Sequence, residues 1–153
     1  MVLKMTDSKI LTDSRNLNIT IISLLILDLL FLLMGILYAV LGTFQTYHVD
    51  YIRMTASKVR NFNPKLMNLI SFFIRLIGFC FISVAITGII IIFIYIRKQE
   101  KSGWIIYLIQ HLTVAIPLTW ITSIVGGLPF ILVIIGWILL IIGMIFSYKE
   151  ILK

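Results

Sequence analysis

Three ionisable side chains interrupt otherwise apolar runs: Asp28, Arg75 and His111. Charge in such surroundings is costly, so each marks a candidate site. A carboxylate and an imidazole held together in a low dielectric can share a proton, relay it, or hold a cation. The plainer alternative is that Asp28 carries its proton and hydrogen-bonds another helix. His111 is then a satisfied polar group against Asp28 or a backbone carbonyl. Arg75 has a structural explanation in either case: snorkelling to headgroups or pairing with Asp50.

Whether these groups can meet depends on the elements that carry them. Four apolar runs are long enough to be helices crossing a bilayer: about 19–42, 64–96, 104–125 and 128–148. Counting along each helix, Asp28 lies about 13 Å and His111 about 11 Å above the same membrane face. Arg75 lies about 31 Å up, near the opposite interface. Asp28 and His111 therefore share a level and form the candidate intramembrane polar site, and Arg75 stands apart from it.

The composition demands this solvent. Of 153 residues, 61% are hydrophobic and 12% charged, with a mean hydropathy of +1.12. Soluble domains are about 45–50% apolar and about 25% charged, and a chain this short cannot hide such an excess from water. A soluble enzyme and a disordered tail are both excluded. The net charge of +7 would suggest nucleic acid in a soluble protein. Here the charges lie between apolar runs, so no nucleic acid is expected and the partner is the lipid bilayer. Other membrane subunits or a second copy of the chain are further candidate partners.

The expected fold is all-α: a single membrane domain formed by an antiparallel four-helix bundle. Residues 1–18 form a polar tail, and Asn16 or Asn18 is positioned to cap the first helix. Asn63 and Pro64 are the N-cap and first residue of the second helix. The second helix, about 50 Å long, exceeds the hydrocarbon thickness of about 30 Å and must tilt or emerge. Pro117 should kink the third helix. Gly126-Gly127 makes a tight turn, and Pro129 opens the fourth helix. The loop 43–63 contains alternating basic and apolar residues (Arg53, Lys58 and Arg60 among Tyr51, Ile52, Met54 and Val59), which predicts a short interfacial amphipathic helix.

Lysine and arginine counts orient the chain. Lys4, Lys9, Arg15, Arg97, Lys98, Lys101, Lys149 and Lys153 fall on one side; Arg53, Lys58, Arg60 and Lys65 fall on the other. Eight against four puts both termini in the cytoplasm of a multi-pass protein of the cell membrane. Tyr95, Trp104, Tyr107 and Tyr148 form the expected inner aromatic belt, with Tyr47, Tyr51 and Trp120 at the outer one. Small residues make stripes suited to close helix packing: Gly35, Ala39 and Gly42 on the first helix, Gly78 on the second, Gly136 and Gly143 on the fourth.

Signals of catalysis are lacking. There is no Gly-rich phosphate loop, no paired-histidine motif, no Ser-x-x-Lys and no Gly-x-Ser-x-Gly. His48 and His111, the two histidines, fall at opposite ends of the membrane, so no metal or other cofactor is expected. The lone cysteine, Cys80, reads as a small buried apolar residue. The expectation is a non-enzymatic protein acting as a small accessory or assembly subunit. The alternative is a small oligomeric transporter or channel with Asp28 and His111 on its path.

Asn63-Pro64-Lys65-Leu66, Ile74-Arg75-Leu76-Ile77-Gly78, Gly88, Arg97 and Gly103-Trp104 form a pattern across residues 60–107. It resembles small uncharacterised four-helix membrane proteins of bacteria and archaea. The isoleucine-rich, alanine-poor composition also points to a prokaryotic source. The resemblance implies the four-helix topology and no particular activity.

Overall fold

The computed structural model describes residues 15–151, with the backbone alone at 149 and 150. In chain order the helices are α1 (Arg15–Leu41), α2 (Thr46–Ile52), α3 (Ala56–Phe62), α4 (Pro64–Ile91), α5 (Lys101–Val125) and α6 (Gly127–Ile151). A π-helical segment, Ile92–Ile96, continues α4 without a break. No strand occurs among the described residues. Four helical stretches (α1, α4 with its π segment, α5 and α6) are long and apolar enough to cross a membrane. The chain is thus a helical, multi-pass membrane protein.

Local chemistry sets most of the boundaries. The Asn63 side chain accepts from the backbone N–H groups of Lys65 (3.0 Å) and Leu66 (3.1 Å), and Pro64 follows in the first helical position. That satisfies two of the donors a helix start leaves orphaned. Gly42 ends α1 in the left-handed region (φ +54°), its N–H donating to the Tyr38 carbonyl at 3.1 Å. Glycine takes this conformation without a steric penalty. Gly126 alone separates α5 from α6, so the fourth helix opens at Gly127 and not, as expected, at Pro129. Pro117 lies inside α5, which continues to Val125.

Three further expectations about the elements need correction. Asn16 and Asn18 do not cap α1, because the helix already includes Arg15. Residues 15–18 of the expected tail are therefore helical. Residues 1–14, with Lys4 and Lys9, lie outside the described residues, as do Lys153 and the Lys149 side chain. The loop 43–63 holds two seven-residue helices instead of one. Arg53 adopts a left-handed conformation (φ 56°) after α2, and Thr55 starts α3 by accepting from the Lys58 N–H. The third correction concerns Cys80, which is exposed on the outward side of α4. The inward side of α4 carries Ile74, Gly78, Ala85 and Gly88, and position 80 falls between these turns.

The helices pack at small residues. A Cβ on Gly35 would lie 2.8 Å from the Gly78 carbonyl oxygen, and one on Gly78 would lie 2.7 Å from that of Gly35. Ala39 also abuts Gly78. Such contact lets the backbones of α1 and α4 meet, which is how helices gain van der Waals attraction where lipid supplies no hydrophobic drive. On the other side of α1, Gly143 of α6 leaves room for Leu24, and Thr20 donates to the Gly143 carbonyl at 3.2 Å. Gly136 is less tightly packed, with its nearest neighbour, Leu27, 3.4 Å from an added Cβ.

Two indoles tie α5 to α6. Trp104 Nε1 donates to the Ser147 hydroxyl at 2.7 Å, and Trp137 Nε1 to the Thr119 hydroxyl at 2.8 Å. Gln110 donates to the Val84 carbonyl at 2.8 Å and joins α5 to α4. α6 also packs on α1, so the ring of neighbours α1–α4–α5–α6 closes. α1 and α5 are diagonal across this bundle, and their backbones hardly approach.

Candidate functional site

The diagonal gap is bridged by side chains. Leu24 and Asp28 lie one turn apart on α1; Tyr107 and His111 have the same i, i+4 spacing on α5 and share a face. Asp28 is 0% exposed, Tyr107 0% and His111 1%. His111 Nε2 lies 2.9 Å from Asp28 Oδ1. The Tyr107 hydroxyl is 3.1 Å from Asp28 Oδ2 and 3.3 Å from the Leu24 carbonyl oxygen. The rings of Tyr107 and His111 stack with centroids 3.9 Å apart.

Hydrogen-bond partners fix one of the imidazole protons. His111 Nδ1 sits 3.0 Å from the Tyr107 carbonyl oxygen. A carbonyl only accepts, so Nδ1 carries a proton. A second proton lies between Nε2 and Oδ1. It resides either on the imidazole, giving an ion pair, or on the carboxyl, giving a neutral pair. Both arrangements have zero net charge and one hydrogen bond at this contact, so the cluster avoids the cost of an unpaired buried charge. Among the described residues, no buried side-chain nitrogen or oxygen lacks a partner.

Gly88 gives the carboxylate its seat. A Cβ there would lie 2.6 Å from Asp28 Oδ2 and closer still to Oδ1. Sequence reasoning found Asp28 and His111 but missed Gly88 and misassigned Tyr107. Tyr107 belongs to the buried core and not to an aromatic belt at the interface. Its spacing of four from His111 was the available signal. Gly88 shares a helical face with Gly78 and Ala85, but nothing in that pattern names a carboxylate as its neighbour.

Arg75 is at another level and does not pair with Asp50. Its guanidinium donates to the Ala39 carbonyl at 3.0 Å and packs over Gly42. It therefore serves the C-terminal end of α1, where carbonyls are orphaned and the helix dipole favours a cation. Arg53, Lys58 and Arg60 are exposed on and between α2 and α3. At the same end, the Tyr38 and Tyr47 hydroxyls hydrogen-bond each other. Burial, with Tyr38 beside it, holds the Tyr47 phenol well above its ordinary value. His48 Nδ1 accepts the Gln45 N–H at 3.0 Å in a capping box, and burial pulls its pKa below the usual 6.5.

Beyond His111 the diagonal gap opens into an apolar cleft of about 100 Å³. His111 forms part of its wall. Among the described residues, no group of three His, Cys, Asp or Glu side chains is arranged to hold a metal ion. No protein-family model, curated protein or solved structure matches the chain.

Proposed function

We propose that this chain is a non-enzymatic membrane protein, an antiparallel up-and-down four-helix bundle that serves as a small accessory or assembly subunit of a membrane complex. The observation behind this reading is the closure of the Asp28–His111–Tyr107 cluster. Each of its polar atoms is occupied by another atom of the bundle, and the adjoining cleft is apolar. A catalytic or conducting carboxylate needs access to substrate or water. This one instead works as a strap between diagonal helices. Large apolar side chains such as Phe72, Phe79, Trp120 and Ile145 point outward, ready for lipid, for a partner subunit or for a second copy. α2 and α3, with Arg53, Lys58 and Arg60, would lie at the interface. The termini are assigned to the cytoplasm of the cell membrane by the lysine and arginine count. Kinship with the small prokaryotic four-helix proteins belongs to the same proposal and rests on residues 60–107.

The test is reconstitution of the purified chain in liposomes, together with its size in mild-detergent extracts of its native membrane. The expected results are no proton or potassium flux and migration in a species larger than the chain itself. A free chain that conducts overturns the reading. The second reading, a small oligomeric transporter or channel, is favoured by one observation: His111 touches both Asp28 and the cleft. It requires flux that Asp28→Asn abolishes.

A further inference from the structure

The cleft has a definite shape. It is lined on α1 from Leu27 to Tyr38, on α5 from His111 to Thr122 and on α6 from Pro129 to Leu140. Each of these stretches rises about 16 Å, close to half of a hydrocarbon core about 30 Å thick. The cleft is therefore a slot parallel to the helices, as long as one leaflet is deep. It starts at the Asp28 level and runs towards the end of the bundle that carries α2 and α3.

Its walls take nothing polar. His111 is committed to Asp28, Tyr38 to Tyr47, Thr122 to the Leu118 carbonyl and Trp137 to Thr119. Phe31, Met34, Leu118 and Val133 fill out the sides. An apolar slot of this kind favours an apolar occupant, whose atoms give its lining dispersion partners at no cost in polar desolvation. In a bilayer the solute at hand is an acyl chain. The end of the bundle towards which the slot runs has a sign of charge as well. Arg53, Lys58, Arg60 and Lys65 are exposed on and between α2, α3 and the start of α4 at that end of the bundle, and Arg75 sits over the end of α1. Asp50 is the one acidic residue between positions 43 and 75.

We propose that this slot binds one acyl chain of an anionic phospholipid, methyl end towards His111 and headgroup among the basic residues of α2, α3 and the start of α4. The proposal rests on the reading of the four helices as membrane spans.

Trp137 lines the slot, and Trp120 is exposed on the outward side of α5. The experiment uses the full chain in phosphatidylcholine vesicles, in two variants that keep either Trp137 or Trp120 as the sole tryptophan. A small fraction of lipid carries brominated acyl chains, which quench tryptophan on contact, on either phosphatidylglycerol or phosphatidylcholine. Trp137 is expected to be quenched severalfold more by the brominated phosphatidylglycerol. Ala115→Phe or Gly136→Leu, each filling the slot, should remove that preference. Equal quenching by the two lipids overturns the proposal, as does a preference that survives filling. If circular dichroism shows that neither filled variant folds, Lys58→Gln with Arg60→Gln decides. Both residues are exposed, and loss of the preference is expected; its persistence overturns the assignment. Trp120 keeps the two failures apart. Shielding of Trp120 from both lipids overturns the membrane reading, whereas a quenched Trp120 beside an indifferent Trp137 overturns the slot alone.

Discussion

Asp28 makes two side-chain hydrogen bonds, and the two can be tested by shape and charge separately. Asn at position 28 can accept from Tyr107 through its carbonyl and donate to a neutral His111 through its amide. Asp28→Asn is therefore expected to cost about 1 kcal/mol or less, the usual scale of hydrogen bonds between membrane helices. Asp28→Leu strands His111 Nε2, leaves the Tyr107 hydroxyl only the Leu24 carbonyl, and should cost about 3 kcal/mol. Unfolding in mixed micelles measures both. Equal losses would mean that the ionised carboxylate itself is required. His48 yields a pH dependence of known sign. Its pKa is lower in the folded chain than the ordinary 6.5, so the unfolded segment takes up the proton first as pH falls. The stability of the α2 cap is therefore complete above that value and declines as pH drops through it. Protonation also removes the acceptor for the Gln45 N–H. Since a cap bond is worth about 1 kcal/mol, hydrogen exchange at that amide should quicken about fivefold after correction for its intrinsic rate.

Helix pairs in this protein meet through glycines of unequal importance. Gly88 faces the Asp28 carboxylate, and an added methyl cannot be accommodated without moving α4 or the cluster. Gly88→Ala should cost about 2 kcal/mol, the range of overpacked cores. Gly136→Ala meets only Leu27 at 3.4 Å and should change stability by less than about 0.5 kcal/mol. Thermal or detergent-induced unfolding of the two variants checks the contrast. The stripes of small residues on both helices were legible in the sequence, because a period of 3.6 places them on one face. Their depth of contact was not legible, because it depends on which side chain the opposite helix offers. The loop between α1 and α4 shows the same limit. Its alternation of basic and apolar residues signalled helix, while the left-handed turn at Arg53, which divides it into α2 and α3, carries no glycine to announce it.

At the scale of the molecule, the arrangement of spans makes a topological prediction. In a Cys80→Ser background, Lys58→Cys should react with a membrane-impermeant thiol reagent added outside cells. Gln99→Cys should react only after permeabilisation. Labelling of both from one side would refute an odd number of spans between them and the orientation drawn from the lysine and arginine count.

The sequence by itself determined that lipid is the solvent, that four helices are long and apolar enough to cross it, where α4 begins and that Asp28 and His111 share a depth. These follow from run length, capping chemistry and a constant rise per residue, all of them local. Only the tertiary structure decided that α1 and α5 are diagonal, that Tyr107 completes the cluster, that Gly88 seats it and that an apolar slot lies beyond it. Those facts depend on how each helix is rotated about its own axis. That rotation is set by the joint packing of all four helices, and no single helix encodes it.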